Sequence, residues 1–203
     1  MFGRTCPRCA HRAVHNADTS VYAAISHNRA IVDCIVRCAR YSADMRIVLQ
    51  KVSSASVTVI DDTTGSIDPT FGEARIGVGY VLLVGVSDTD GTRQIGWLTH
   101  KIANLRVFED DDGRMNRSIS DVGGAVLSIS QFTLYGNVRK GNRPSFVAAG
   151  APEHANKVWS AFNDALRAQG LDVREGRFGA HMDVALTNDG PVTILFDTDE
   201  LGI

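Results

Sequence analysis

Tyr80-Val81-Leu82-Leu83-Val84-Gly85-Val86 is an unbroken apolar run of strand length. A run of this kind reads as a strand covered on both faces rather than one half in water. Just beyond it, residues 88–90 offer N-cap side chains for a helix over 92–104, where Ile95, Leu98 and Ile102 recur at three- and four-residue spacing. Upstream, residues 45–52 and 56–60 are rich in Val and Ile and predict a strand pair. Between that pair and the central run, residues 61–79 scatter Asp, Gly and Pro and predict a loop bearing at most short strands. Downstream, residues 106–109 are extended up to a turn at 110–113, and 125–133 alternate in the manner of a strand. A second helix is expected over 152–169: Pro152 sits at its start, Gly170 lies just past its end, and Val158, Phe162, Ala165 and Leu166 form its stripe. Residues 172–175, 182–187 and 192–197 finish the chain as strands. Many strands and two helices predict an α/β fold: a strand-rich layered sandwich of two packed sheets, two main helices on one side, in a single domain over 45–203.

Composition agrees with one folded domain. The chain has 203 residues, 44% hydrophobic and 22% charged, with a formal net charge of −2. That excludes a disordered or polybasic protein. No apolar run approaches the ~20 residues of a membrane span, so a soluble, cytoplasmic protein is expected. All four cysteines (Cys6, Cys9, Cys34, Cys38) precede residue 45. Residues 1–44 also carry six Arg, no Lys and three Asp, against 15 basic and 20 acidic side chains in 45–203. They are expected to be a flexible extension or sequence upstream of the true start at Met45; the abrupt onset of fold signals at Met45 favours the second. Cys6-Pro-Arg-Cys9, with His11 and His15 after it, resembles half of a zinc site that Cys34 and Cys38 would complete. The segment lacks the apolar residues such a module packs around its metal, so unstructured or untranslated sequence is the expectation.

The body lacks a GxxxxGK[ST] loop and an HExxH motif. His100 and His154 fall in the expected helices and read as surface residues; His181 ends a loop, with an equally ordinary reading. Three segments stand out. Ser130-Gln131-Phe132-Thr133, followed by Leu134-Tyr135-Gly136, gathers hydroxyl, amide and aromatic groups at one strand end. Asn188-Asp189-Gly190-Pro191-Val192-Thr193 reads as a turn before the last strand, with a Gly-Pro bond able to be cis. Arg139-Lys140-Gly141-Asn142-Arg143-Pro144 is a compact basic loop in an acidic body, suited to a phosphate backbone. Taken singly, an ordinary strand, turn and solvated loop explain them.

Together with other stretches, these segments closely resemble the D-aminoacyl-tRNA deacylases. The resemblance opens with Met45-Arg46-Ile47-Val48, Ala55-Ser56-Val57 and Lys101-Ile102-Ala103-Asn104-Leu105-Arg106. It continues through Met115-Asn116-Arg117-Ser118, Asp121-Val122-Gly123-Gly124 and Arg143-Pro144-Ser145-Phe146, then Gly176-Arg177-Phe178-Gly179-Ala180. Three departures from the family pattern are visible: residues 1–44, a longer 61–79 loop, and Lys51 where an Arg is usual.

The resemblance implies a homodimeric hydrolase that cleaves D-aminoacyl esters from the 3′ end of tRNA, mischarged glycyl-tRNA(Ala) included, without cofactor or metal, membrane or DNA. Ser130, Gln131, Phe132 (through its backbone N–H) and Thr133 would form the floor of the pocket and its catalytic residues. Gly190 and Pro191, reaching into the partner's site, would reject L-substrates, with Phe178, Gly179, Met182 and Met115 as further substrate contacts. Arg139, Lys140 and Arg143 would hold tRNA, with Arg114 and Arg117 as additions, and Phe178 or Phe146 would stack on the adenine. Three other readings remain: a non-catalytic module binding the tRNA 3′ end, a general esterase using His181, and a metal-linked regulator built on the cysteine segment.

Overall fold

The computed structural model describes residues 45–203. The expectations for 1–44, the zinc site among them, lie outside the described residues.

β1 (Arg46–Ile60) is the hub of a six-stranded sheet. Its first half pairs with β3 (Gly79–Gly85), from Arg46↔Gly85 to Val52↔Gly79. Its second half pairs with β2 (Glu73–Ile76), from Ala55↔Ile76 to Thr58↔Glu73. Along its other edge runs β8 (His181–Asp197), antiparallel. The expected hairpin at 52–56 is therefore one long strand. Val and Ile on both sides of Ser53-Ser54 favour extended backbone, and no residue there requires a turn. The register irregularities around Val52 and Ser54 mark the interruption that the sequence suggested.

β3 is flanked on its far side by β6 (Ala125–Ser130), and β6 by β7 (Asp172–Glu175), both pairs parallel. Parallel neighbours need crossovers, and two helices supply them: α1 (Thr92–Ala103) between β3 and β6, and α2 (Pro152–Ala168) between β6 and β7. β4 (Phe108–Glu109) and β5 (Met115–Arg117) form a separate two-stranded ribbon. The N-cap of α1 is Gly91, one residue past the expected 88–90. The aspartates there serve neighbours instead: Asp90 accepts the Ser87 N–H at 2.6 Å, and Asp88 accepts the Ala151 N–H at 2.6 Å, at the start of α2.

The pleat of β3 divides the core. Tyr80, Leu82 and Val84 face the helices and pack with Ile95, Leu98, Ile102, Val158, Phe162 and Leu166. Val81 faces the other way, joining Leu127, Ile129, Val57 and Ile76. β1 contributes Ile47 and Leu49 to the first cluster and Val52, Ala55 and Val57 to the second. The sheet thus folds over at the middle of β1, and β2 packs across β6 and β7. Two strand layers with both helices on one side arise from one continuous sheet.

Candidate functional site

Three parallel strands point their carboxyl ends the same way, and a cleft opens at the end of β6. Its volume is about 430 Å³. Crevices at the carboxyl ends of parallel strands are where open α/β sheets place ligands, because chain crossing from one layer to the next leaves room there. Ser130 closes β6, and the Gln131 N–H donates to the Val84 carbonyl at 2.7 Å. The chain then leaves the sheet in a 3-10 turn, Phe132–Tyr135. The expected strand through Thr133 therefore stops three residues early. Tyr135 pins the turn: it is buried, and the Arg46 guanidinium lies 4.9 Å from its ring centroid.

Ser130, Gln131 and Phe132 line one side of the cleft; Phe178, Gly179 and Met182 line another. Behind them the floor is fixed by Trp159, whose indole N–H donates to the buried Ser128 hydroxyl at 2.9 Å. Phe178 packs against the Trp159 ring at 6.1 Å. Gly176 permits close approach by Met182: a Cβ there would sit 2.6 Å from the Met182 sulfur. Pro152 and Ala155 bring the N-terminal turn of α2 to the rim, a position that favours negative charge. His181 and Gly150 also line the cleft. Gly150, Pro152 and Ala155 were missed by sequence reasoning, whereas His181 entered it only through the general-esterase reading. His181 directly follows the Gly176–Ala180 motif, which places it at the cleft.

Thr133 does not line the cleft; it follows Phe132 as an exposed residue of the 3-10 turn, and its hydroxyl accepts a short hydrogen bond from the Gln131 side-chain amide. Phe132, 58% exposed, packs edge-on against Phe146 with centroids 5.2 Å apart. Phe146 in turn roots the basic loop, closed by an Asn137↔Ser145 bridge with hydrogen bonds of 2.8 and 3.0 Å. Arg139, Lys140 and Arg143 are all exposed on that loop. Arg114 and Arg117 are already engaged by Asp112 at 3.9 Å and Asp111 at 2.6 Å. Their charge is offset locally, which suits them less to phosphate.

Met115, exposed on β5, does not line the cleft of its own chain, nor do Gly190 and Pro191. The Gly190–Pro191 bond is cis. The expected turn at 188–193 sits inside β8 as an excursion: Gln50 pairs with Thr193 and Val52 with Asn188, so the intervening residues leave the ladder. Val192 N–H donates to Asn188 Oδ1 at 3.0 Å, and buried Lys51 reaches Asp189 with Nζ 3.0 Å from Oδ2. Gly190 has φ +118°, and a Cβ on it would meet Val192 Cγ2 at 2.8 Å. Glycine is therefore required.

His181 Nδ1 lies 3.6 Å from Asp62 Oδ1. Among the described residues, no group of three or more His, Cys, Asp or Glu side chains is placed to hold a metal ion, and no helix is long and apolar enough to cross a membrane.

A family model described as D-Tyr-tRNA(Tyr) deacylase matches residues 48–197. A D-aminoacyl-tRNA deacylase of Bifidobacterium adolescentis is 77% identical over 159 residues, covering 78% of this chain and 100% of that protein. One from Thermus aquaticus is 53% identical over 156 residues, 77% of this chain and 97% of the relative. Among solved structures, a c-Myc DNA Unwinding Element Binding Protein superposes with TM-score 0.64 at 39% identity, covering 74% of this chain and 97% of the other. A probable eukaryotic D-amino acid tRNA deacylase shares the fold, with TM-score 0.61 at 19% identity over 76% of this chain and 99% of its own.

Proposed function

Since the chain belongs to the D-Tyr-tRNA(Tyr) deacylase family, we propose that it is a hydrolase that cleaves the ester joining a D-aminoacyl group to the 3′ end of tRNA. One observation carries this reading beyond family membership: the Ser130–Phe132 segment and the Phe178–Met182 segment converge on a single cleft at the carboxyl end of β6.

An aminoacyl ester is intrinsically reactive, so the site needs mainly to hold it and stabilise the oxyanion that forms. Phe132 and Thr133 open the 3-10 turn, and the leading N–H groups of a helical turn have no partner within it. They are the candidate oxyanion donors. Water attacks the carbonyl carbon, its proton is relayed through the terminal ribose 2′-hydroxyl to the 3′-oxygen, and the C–O3′ bond breaks to leave a free 3′-hydroxyl and the amino acid's carboxyl group. Thr133 orients the substrate. The Gln131 amide occupies one lone pair of its hydroxyl oxygen, and among the described residues no base is hydrogen-bonded to that hydroxyl to take its proton.

Selection against L-substrates is assigned to Gly190 and Pro191 acting in the site of a second copy. Their exclusion from their own chain's cleft supports this, as does the way Lys51 and Asn188 hold the excursion. A backbone wall against the α-carbon leaves room for hydrogen but not for a side chain, so discrimination comes from rejection. Glycyl-tRNA(Ala) passes for the same reason. The exposed Arg139, Lys140 and Arg143 reach the phosphates near the 3′ end, and a cytoplasmic homodimer is the working form.

Hydrolysis of D-tyrosyl-, L-tyrosyl- and glycyl-tRNA tests the reading. Release from the D and glycyl esters with the L ester spared is expected. Binding without release from any ester would replace the hydrolase with a tRNA-end binding module, and equal loss of all three would remove the chiral gate.

A further inference from the structure

The segment that forms the Phe178 side of the cleft is tied down from outside the site. Arg177 precedes it and His181 follows it, and both reach into the loop that leads from β1 to β2, residues 61–72. Arg177 Nη1 lies 2.5 Å from Asp68 Oδ2, and its Nη2 donates to Thr70 Oγ1 at 3.0 Å. The guanidinium also lies 5.3 Å from the Phe71 ring centroid. His181 adds the 3.6 Å approach to Asp62.

The loop end of this clamp is itself ordered. Asp68 donates its N–H to the Val59 carbonyl at 2.8 Å, and its Oδ1 accepts both the N–H and the hydroxyl of Thr70, each at 2.7 Å. Asp61 Oδ1 accepts the N–H groups of Thr63 and Thr64, both at 2.8 Å. A planar fork held by a carboxylate and a hydroxyl, with a ring against its face, has little rotational freedom.

We propose that Arg177 is a positioning residue: by clamping Asp68, Thr70 and Phe71 it holds Phe178 against Trp159 and thereby sets how tightly the acyl-adenosine end is bound. The inference rests on the deacylase reading for its substrate, but the position of Phe178 is measurable without catalysis.

The chain contains two tryptophans, Trp97 and Trp159. Trp97→Phe leaves Trp159 as the sole emitter, buried beneath Phe178. In the full chain carrying that change, Arg177→Ala and the isosteric Asp68→Asn are expected to increase acrylamide quenching of Trp159. For D-tyrosyl-tRNA the same variants should raise KM about tenfold while leaving kcat within about threefold, the pattern of weakened uniform binding. Arg177→Lys keeps a charge but not the fork, and should fall between wild type and Arg177→Ala. Unchanged quenching and unchanged KM in Asp68→Asn would overturn the clamp, as would a fall in kcat at constant KM. If the parent protein hydrolyses no ester, the deacylase reading fails, and the quenching comparison still decides whether the clamp exists.

Discussion

Thr133 separates two chemistries. If it orients the ester, Thr133→Val should slow kcat for D-tyrosyl-tRNA by about 10–100-fold; a nucleophile would lose about 10⁴-fold or more, and single-turnover kinetics would show the difference. Gly190→Ala should lower the D/L rate ratio, since the added Cβ lies 2.8 Å from Val192 and the φ of +118° disfavours alanine. Ser128→Ala removes the acceptor of the buried Trp159 N–H and should cost about 1–3 kcal/mol in urea unfolding. Asp68 gives a pH signature. Hydrogen bonds from Thr70 and then Arg177 hold its carboxyl below the ordinary value. A carboxyl lowered in the folded state favours that state above its unfolded pKa and loses the effect as pH falls through the folded one. Trp159 quenching should therefore stay low through about pH 4, where an unperturbed Asp is half protonated, and rise only in stronger acid. A rise at or above that pH would contradict the shift.

The join between β3 and β6 is the element with least tolerance. A Cβ at Gly79 would lie 1.8 Å from the Ala125 carbonyl oxygen, so the strands could not keep their register. Gly79→Ala should lower the thermal midpoint sharply or abolish soluble expression, whereas Gly96→Ala, with open space around it, should not. The strand run at 80–86 and both helix stripes were readable because each repeats one period long enough to be unambiguous. Hairpin and continuous strand at 52–56 were not distinguishable, since Ser-Ser suits either. The strands expected at 182–187 and 192–197 are halves of one strand for a related reason: Asn-Asp-Gly-Pro reads locally as a turn, and only their shared ladder with β1 joins them. Of the cleft lining, Ser130, Gln131 and Phe132, with Phe178, Gly179 and Met182, could be read from motif. Pro152 and Ala155 could not, because they reach the cleft through helix placement across the sheet.

At the scale of the whole molecule, an acidic body approaches a polyanion, and the basic 139–143 loop is the feature suited to that meeting. Replacing Arg139, Lys140 and Arg143 together with Ala should weaken tRNA binding. It should also flatten the dependence on log salt by about 2, at ~0.7 for each single-strand phosphate that the protein ceases to neutralise. Equal slopes for parent and variant would place the tRNA elsewhere. The Leu195 side chain is 73% exposed on β8, whose outer edge pairs with no described strand. Sedimentation should give a dimer mass, and Leu195→Asp should shift it toward the monomer if that face is shared. Within β8, the excursion is bounded by paired strand on both sides: residues 46–50 run against 193–197, and residues 54–60 against 181–187, each in its own register. The short loop between is thus stitched at both ends before any ligand arrives. A free loop surrenders conformational freedom when it docks, and that loss weakens binding; here folding has already removed it. On the proposed reading, in which Gly190 and Pro191 enter the site of a second copy, their contacts would therefore act at nearly full strength, and a misplaced side chain would meet a wall that does not yield.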